Sequence, residues 1–118
     1  MAIRGLRRII VSVSDLERSL ALYRDALGLV EKYRQGEVVM LGVPGGDLEV
    51  MLHERPPTSG LAGVAVSFLV DDVDAATALA EKAGATVVDA PADQPWGERQ
   101  GVLTDPDGHV LCLVAPRG

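Results

Sequence analysis

Apolar and polar positions alternate over 7–14 and again over 64–70, and each alternating stretch runs into an acidic helix start. In the first stretch Ile9, Val11 and Val13 form a uniformly apolar set, expected to face a helix, while Arg8, Ile10 and Ser12 are mixed. In the second, Val64, Val66, Phe68 and Val70 are apolar, and Ala65, Ser67 and Leu69 form the other set. A helix is predicted after each, over Leu16–Leu27 ending at Gly28 and over Val73–Ala83 ending at Gly84. Leu16, Leu20, Tyr23 and Leu27 make one apolar stripe; Val73, Ala76, Leu79, Ala80 and Ala83 make another. Asp15 and Asp72, 57 positions apart, stand where a carboxylate caps a helix N-terminus.

Three short β-like runs follow each helix. In the first half they are Leu29–Arg34, Glu37–Val43 and Asp47–His53, punctuated by Gly36 and Pro44-Gly45-Gly46. In the second half they are Thr86–Asp89, Glu98–Thr104 and His109–Ala115, the last two joined by a predicted hairpin turn, Asp105-Pro106-Asp107-Gly108. On the third run of the first half, Leu48, Val50 and Leu52 alternate with Glu49, Met51 and His53. The chain therefore reads as a strand–helix–three-strand unit repeated within a single domain. The first module covers about 5–53, a linker 54–60, and the second module about 61–116.

Composition narrows the function classes. A chain of 118 residues suits one domain with a real core. Seventeen acidic residues against eleven basic ones give a net charge of −6, the wrong sign for a general nucleic-acid binder. The same charge favours a cationic ligand. No apolar run reaches the roughly 18 residues of a membrane span. The arginine-bearing N-terminus turns polar too soon for a signal peptide, so a cytoplasmic location is expected. The single cysteine, Cys112, excludes an internal disulfide framework and a cysteine-cluster zinc site.

Four segments in order, VSDLERSLALYRDALGL (Val13–Leu29), VDDVDAA (Val70–Ala76), PWGER (Pro95–Arg99) and DPDGHVLCLV (Asp105–Val114), resemble the vicinal oxygen chelate superfamily. That group contains glyoxalase I, extradiol dioxygenases, fosfomycin-resistance enzymes and bleomycin-binding proteins. The resemblance implies an α+β fold of two tandem βαβββ modules whose curled mixed sheets surround a cavity, usually in a homodimer. It implies no single activity. It also places the metal-ligand positions of the enzymes on Arg8, Glu49, Ala65 and Cys112. Relatives that use a metal carry histidine, glutamate or glutamine there, and only Glu49 fits. Arg8 stays protonated and Ala65 has no donor atom. A lone thiolate with one carboxylate is not a typical zinc site. The expectation is no metal and no cofactor.

The same resemblance turns the mixed strand faces, with Met51 and Ser67, towards the cavity. A carboxylate in a partly buried cleft needs compensation, and Arg8 on a neighbouring strand can supply it to Glu49. The pair orients a polar ligand, or else it is an ion pair that ties strands together. Trp96 offers a ring at a cavity mouth, or a packing residue that pins its segment. Cys112 reads as a small thiol in the sheet, with no histidine beside it in the alternation. His53 reads as a surface residue and His109 as structural.

The expected ligand-binding set is thus Arg8, Glu49, Met51, Ser67, Trp96 and Cys112, with no catalytic residue. The expected function is metal-independent binding of a small molecule, as in the drug-sequestering branch of the superfamily, by a cytoplasmic homodimer with no nucleic-acid or membrane partner. The alternative is a metal-dependent lyase, isomerase or dioxygenase with an altered ligand set. Metal-free acid–base chemistry with Glu49 as base ranks last, because no second proton-transfer group accompanies it.

Overall fold

The computed structural model describes residues 7–57 and 65–117. The chain divides into two compact units, Met1–Pro57 and Thr58–Gly118. Residues 58–60 of the predicted linker and Val64 of the second apolar set lie outside the described residues.

The first unit contains β1 (Arg8–Val13), α1 (Leu16–Leu20), a π-helical turn (Ala21–Ala26), β2 (Val30–Gln35), β3 (Val38–Gly42) and β4 (Glu49–Glu54). Its sheet has the order β1-β4-β3-β2, with β1 parallel to β4 and the other pairs antiparallel. The second unit contains β5 (Val66–Leu69), α2 (Val73–Lys82), β6 (Thr86–Asp93), β7 (Glu98–Thr104) and β8 (Val110–Pro116). It repeats the plan as β5-β8-β7-β6, again with one parallel pair. The fold is α+β, with two similar modules and two open mixed sheets.

The alternation explains which face each sheet buries. Val13, Val39, Leu41, Val50 and Leu52 are nearly or fully buried on the side where α1 packs. Leu103, Leu111 and Leu113 are buried in the second unit, where α2 packs on β6, β7 and β8. Both aspartate caps form as expected. Asp15 Oδ1 accepts from the Arg18 N–H at 3.1 Å, and Asp72 Oδ1 accepts from the Ala75 N–H at 3.0 Å. Gly28 and Gly84 end their helices with φ of +84° and +109°, a region that favours glycine. No helix among the described residues is long and apolar enough to cross a membrane.

Three elements depart from the pattern-based boundaries. The first helix stays α-helical only to Leu20; beyond it the Leu27 N–H reaches back five residues to the Leu22 carbonyl at 2.9 Å. The widened turn lets the adjacent Leu22 and Tyr23 both enter the core, at 0% and 3% exposure. Leu27, the last residue of the predicted stripe, is half-buried. Strand β6 continues past Asp89 to Asp93, because register shifts on either side of Asp89 absorb the irregularity. Glu54, assigned to the linker by composition, belongs to β4. Its N–H donates to the Glu37 carbonyl at 2.7 Å, and its Oε2 accepts from the Leu16 N–H at 2.9 Å, capping α1 a second time.

The predicted hairpin turn between β7 and β8 is present and is built around a buried carboxylate. Asp105, 3% exposed, accepts at one oxygen from the N–H groups of Asp107 and His109, both at 2.9 Å. Gly108 closes the turn at φ +88°.

Candidate functional site

The sheet of the first unit has a second face, turned away from α1. Strand register sorts its side chains into three rows that each cross all four strands. The first row is Arg8, Glu49, Gly42 and Val30; the second is Ile10, Met51, Met40 and Tyr33; the third is Ser12, His53, Val38 and Gln35. One edge is therefore charged, the middle is apolar, and the far edge is mostly polar. Ile10 and Tyr33 remain 52% exposed, although both are large and apolar in body. The Tyr33 hydroxyl donates to Gln35, and Arg55 Nε donates to Ser12 Oγ at 2.7 Å, so the polar edge is internally bonded.

The charged edge centres on Glu49, whose side chain is only 18% exposed. Arg8 Nη2 donates to Glu49 Oε1 at 3.1 Å, and Lys32 Nζ stands 3.6 Å from Oε2. Each carboxylate oxygen thus faces a cation. The Arg8 hydrogen bond, aided by the charges of Lys32 and Arg8, holds the Glu49 carboxyl below its ordinary value of 4.5 against the opposing effect of burial. Glu49 is therefore an anion from neutral pH down past 4.5, and protonates only as pH falls through its lowered value. A carboxylate in that state is a poor proton acceptor at neutral pH.

Lys32 escapes simple alternation. A β-bulge between Glu31 and Tyr33 lets both Lys32 and Tyr33 project on this face. Lys32 then folds across Gly42 on the next strand. A Cβ at Gly42 would lie 2.6 Å from Lys32 Cδ, closer than the two atoms can approach. A lone glycine at the end of an apolar strand was the one sequence signal of this approach. The bulge itself leaves no mark in the run VEKYRQ.

The six predicted residues fall into two groups. Arg8, Glu49 and Met51 share the face just described. His53 lies there too, half-buried opposite Ser12. Ser67, Trp96 and Cys112 belong to the second unit. Ser67 is exposed and stands opposite Cys112, which is half-buried and opposite Val102 on its other side. Trp96 is 59% exposed in the turn between β6 and β7, and its Nε1 donates to Glu98 at 2.8 Å.

The four positions at which the family resemblance implies metal ligands do not form matching pairs. Arg8 and Glu49 are register partners, but Cys112 pairs with Ser67, two residues beyond Ala65. Continuing that register by one residue would set Val110 beside Ala65, and neither side chain carries a donor. Among the described residues no group of three or more histidine, cysteine, aspartate or glutamate side chains is arranged to hold a metal ion. The donor set in the first unit is one carboxylate already engaged by two cations, and this does not fit a metal centre.

The second unit carries a cleft of about 470 Å³ at the start of α2, away from Ser67 and Cys112 and lined by Asp71, Asp72, Asp74, Asp93, Arg99 and Arg117 among others. Arg99 dominates it. Its guanidinium takes both Asp74 oxygens at 2.7 and 2.9 Å and Asp93 at 3.1 Å, tying α2 to β6 and β7. These contacts lower the Asp74 carboxyl and raise the Arg99 guanidinium from their ordinary values. Most of the cleft's charge is spent on itself, so the row-ordered face of the first unit is the better candidate for a ligand.

Comparison with known proteins agrees with this architecture. Residues 5–113 match the profile of the Glyoxalase/Bleomycin resistance protein/Dioxygenase superfamily. The chain is 34% identical over 119 residues to the uncharacterized protein Mb0911c of Mycobacterium bovis, spanning 88% of this chain and 78% of that one. TnmS3, an antibiotic binding protein from Streptomyces sp. CB03234, aligns over 98% of each chain with a TM-score of 0.75 and 32% identity. A glyoxalase-related enzyme from Fulvimarina pelagi aligns with a TM-score of 0.81 over 96% of this chain and 88% of that one; at 19% identity it shows the fold alone. With a profile match over nearly its whole length and the doubled strand–helix–three-strand plan, this chain belongs to the Glyoxalase/Bleomycin resistance protein/Dioxygenase superfamily.

Proposed function

We propose that the protein is a metal-independent binder of a small, antibiotic-type molecule in the cytoplasm, and that the face of its first sheet turned away from α1 contacts the ligand. The observation that carries this reading is the state of Glu49. Both of its oxygens are turned to cations, and its lowered proton affinity suits a fixed charge better than a base or a metal ligand. The likeness to an antibiotic binding protein at 32% identity supports the same direction. The middle row adds apolar area, and its two methionines can repack around ligands of different outline. Arg8 and Glu49 orient the ligand; Met51 supplies contact area. Ser67, Trp96 and Cys112 are the contacts proposed on the second module.

Two measurements test it. Elemental analysis of the purified protein gives no stoichiometric metal; about one zinc, nickel, manganese or iron per chain overturns metal independence. A thermal-shift screen of small molecules then supplies a ligand, against which Glu49→Gln is compared with the parent. The variant melts within a few degrees of the parent but binds roughly tenfold or more weakly, because Arg8 and Lys32 lose the carboxylate that holds them in place on this face. A large loss of stability with unchanged affinity makes the pair a scaffold instead.

The proposed assembly is a homodimer. In both sheets the outer strands, β1 and β2 or β5 and β6, leave open edges that pairing of copies covers. Sedimentation at micromolar concentration gives twice the 12.4 kDa chain mass; a single 12.4 kDa species refutes it.

A further inference from the structure

We infer that the ligand carries an anionic group, a carboxylate or an ionised phenol, which docks on Lys32 beside an apolar body lying over Met40 and Met51. This rests on the reading of the sheet face turned away from α1 as the binding surface, and it names the ligand class that face selects.

The charge count points there first. Arg8 and Lys32 flank one carboxylate, so the cluster carries a net single positive charge on a chain whose total is −6. The overall charge would favour a cationic ligand; the local charge favours an anion, and at contact distance the local term wins because salt screens the rest within about 8–10 Å. The two cations are also unequal. Arg8 is hydrogen-bonded to Glu49 at 3.1 Å, whereas Lys32 stands at 3.6 Å, beyond a good hydrogen bond. Its side chain is 53% exposed, so the ammonium keeps donors for an incoming acceptor. Glu31, the neighbouring acid, is unavailable to it: Arg24 and Arg34 hold that carboxylate at 2.7 and 3.1 Å.

The placement of Lys32 is also built in. The bulge turns it onto this face, and Gly42 provides the only kind of surface over which its methylenes can lie so close. Gly42 is thus a positioning residue for the lysine. Beside the charged row, about 7 Å along the strands, runs the row of Ile10, Met51, Met40 and Tyr33. An acid with an aromatic or alicyclic body spans that distance; a small inorganic anion would leave the apolar row uncovered.

The test uses 2-naphthoate and its uncharged isostere 2-naphthamide, with binding followed through the methyl signals of isotopically labelled methionine. Naphthoate is expected to shift the Met40 and Met51 signals and to bind about tenfold more tightly than naphthamide, a preference that shrinks with added salt. Lys32→Gln removes the preference by deleting the charge. Gly42→Ala removes it with the charge retained, because the new methyl displaces only the flexible lysine side chain and leaves the fold in place. If both probes shift the methionine signals with equal affinity, the anionic class is wrong and the binding face stands. If the preference survives Lys32→Gln, Lys32 is not its source. If neither probe moves Met40 or Met51 at millimolar concentration, the face itself is not a small-molecule surface and both readings fail.

Discussion

Replacing Leu52 by alanine lowers stability by about 2–5 kcal/mol, while the same truncation at the adjacent Met51 costs far less. The two residues are neighbours on β4 and point to opposite sides of the sheet. Leu52 is fully buried on the side where α1 packs, and its register partners Val11 and Val39 lie on the same side. Removing its three terminal carbons opens a cavity that α1 and a hydrogen-bonded central strand cannot collapse to fill. Met51 is half-buried on the open face, where water can take the place of the lost atoms. Its truncation acts on ligand affinity through lost contact area. Urea denaturation followed by circular dichroism reads the first effect, and titration with the screened ligand reads the second. Equal destabilisation by the two changes would show that the face carrying Met51 is core, which would remove the basis for a binding surface there.

Asp105→Ala lowers stability by about 2–4 kcal/mol. The side chain is 3% exposed and its Oδ1 holds two backbone N–H groups in the β7–β8 turn. Alanine leaves both part-buried donors beside a methyl group, and each donor left unsatisfied costs about 1–3 kcal/mol. Asp105→Asn retains an oxygen acceptor in the same place and recovers most of the loss. The readout is the urea midpoint followed by the fluorescence of Trp96, which lies in the same unit. A midpoint for Asp105→Ala close to that of the parent would mean that the turn is held by Pro106, Gly108 and its backbone bonds, from the Asp105 N–H to the His109 carbonyl at 2.8 Å and from the Gly108 N–H to the Asp105 carbonyl at 2.9 Å. The motif's role would then be conformational, with no dependence on the buried carboxylate.

Amphipathic period and turn chemistry determine the faces of the strands and the ends of the helices. The alternation in β1 and β4 separates Val13, Val50 and Leu52 from Arg8, Glu49 and Met51, because side chains on a strand must take opposite faces. Asp15, Asp72, Gly28 and Gly84 mark the helix ends, because capping and positive φ are local demands met by few residue types. The pairing of Arg8 with Glu49, 41 positions apart, came from the family resemblance and agrees with the register.

Tertiary structure decided the rest, wherever the outcome depends on a partner strand. The run VEKYRQ shows no bulge, because a bulge is a mismatch between two strands and is absent from either one alone. Lys32 and its seat on Gly42 follow from that mismatch. So does the change of sign at the site: an acidic chain presents a positive edge because strand pairing gathers two cations and one anion from three separate segments. The offset of Cys112 from Ala65 is likewise a property of the β5–β8 register, which no count along the sequence specifies.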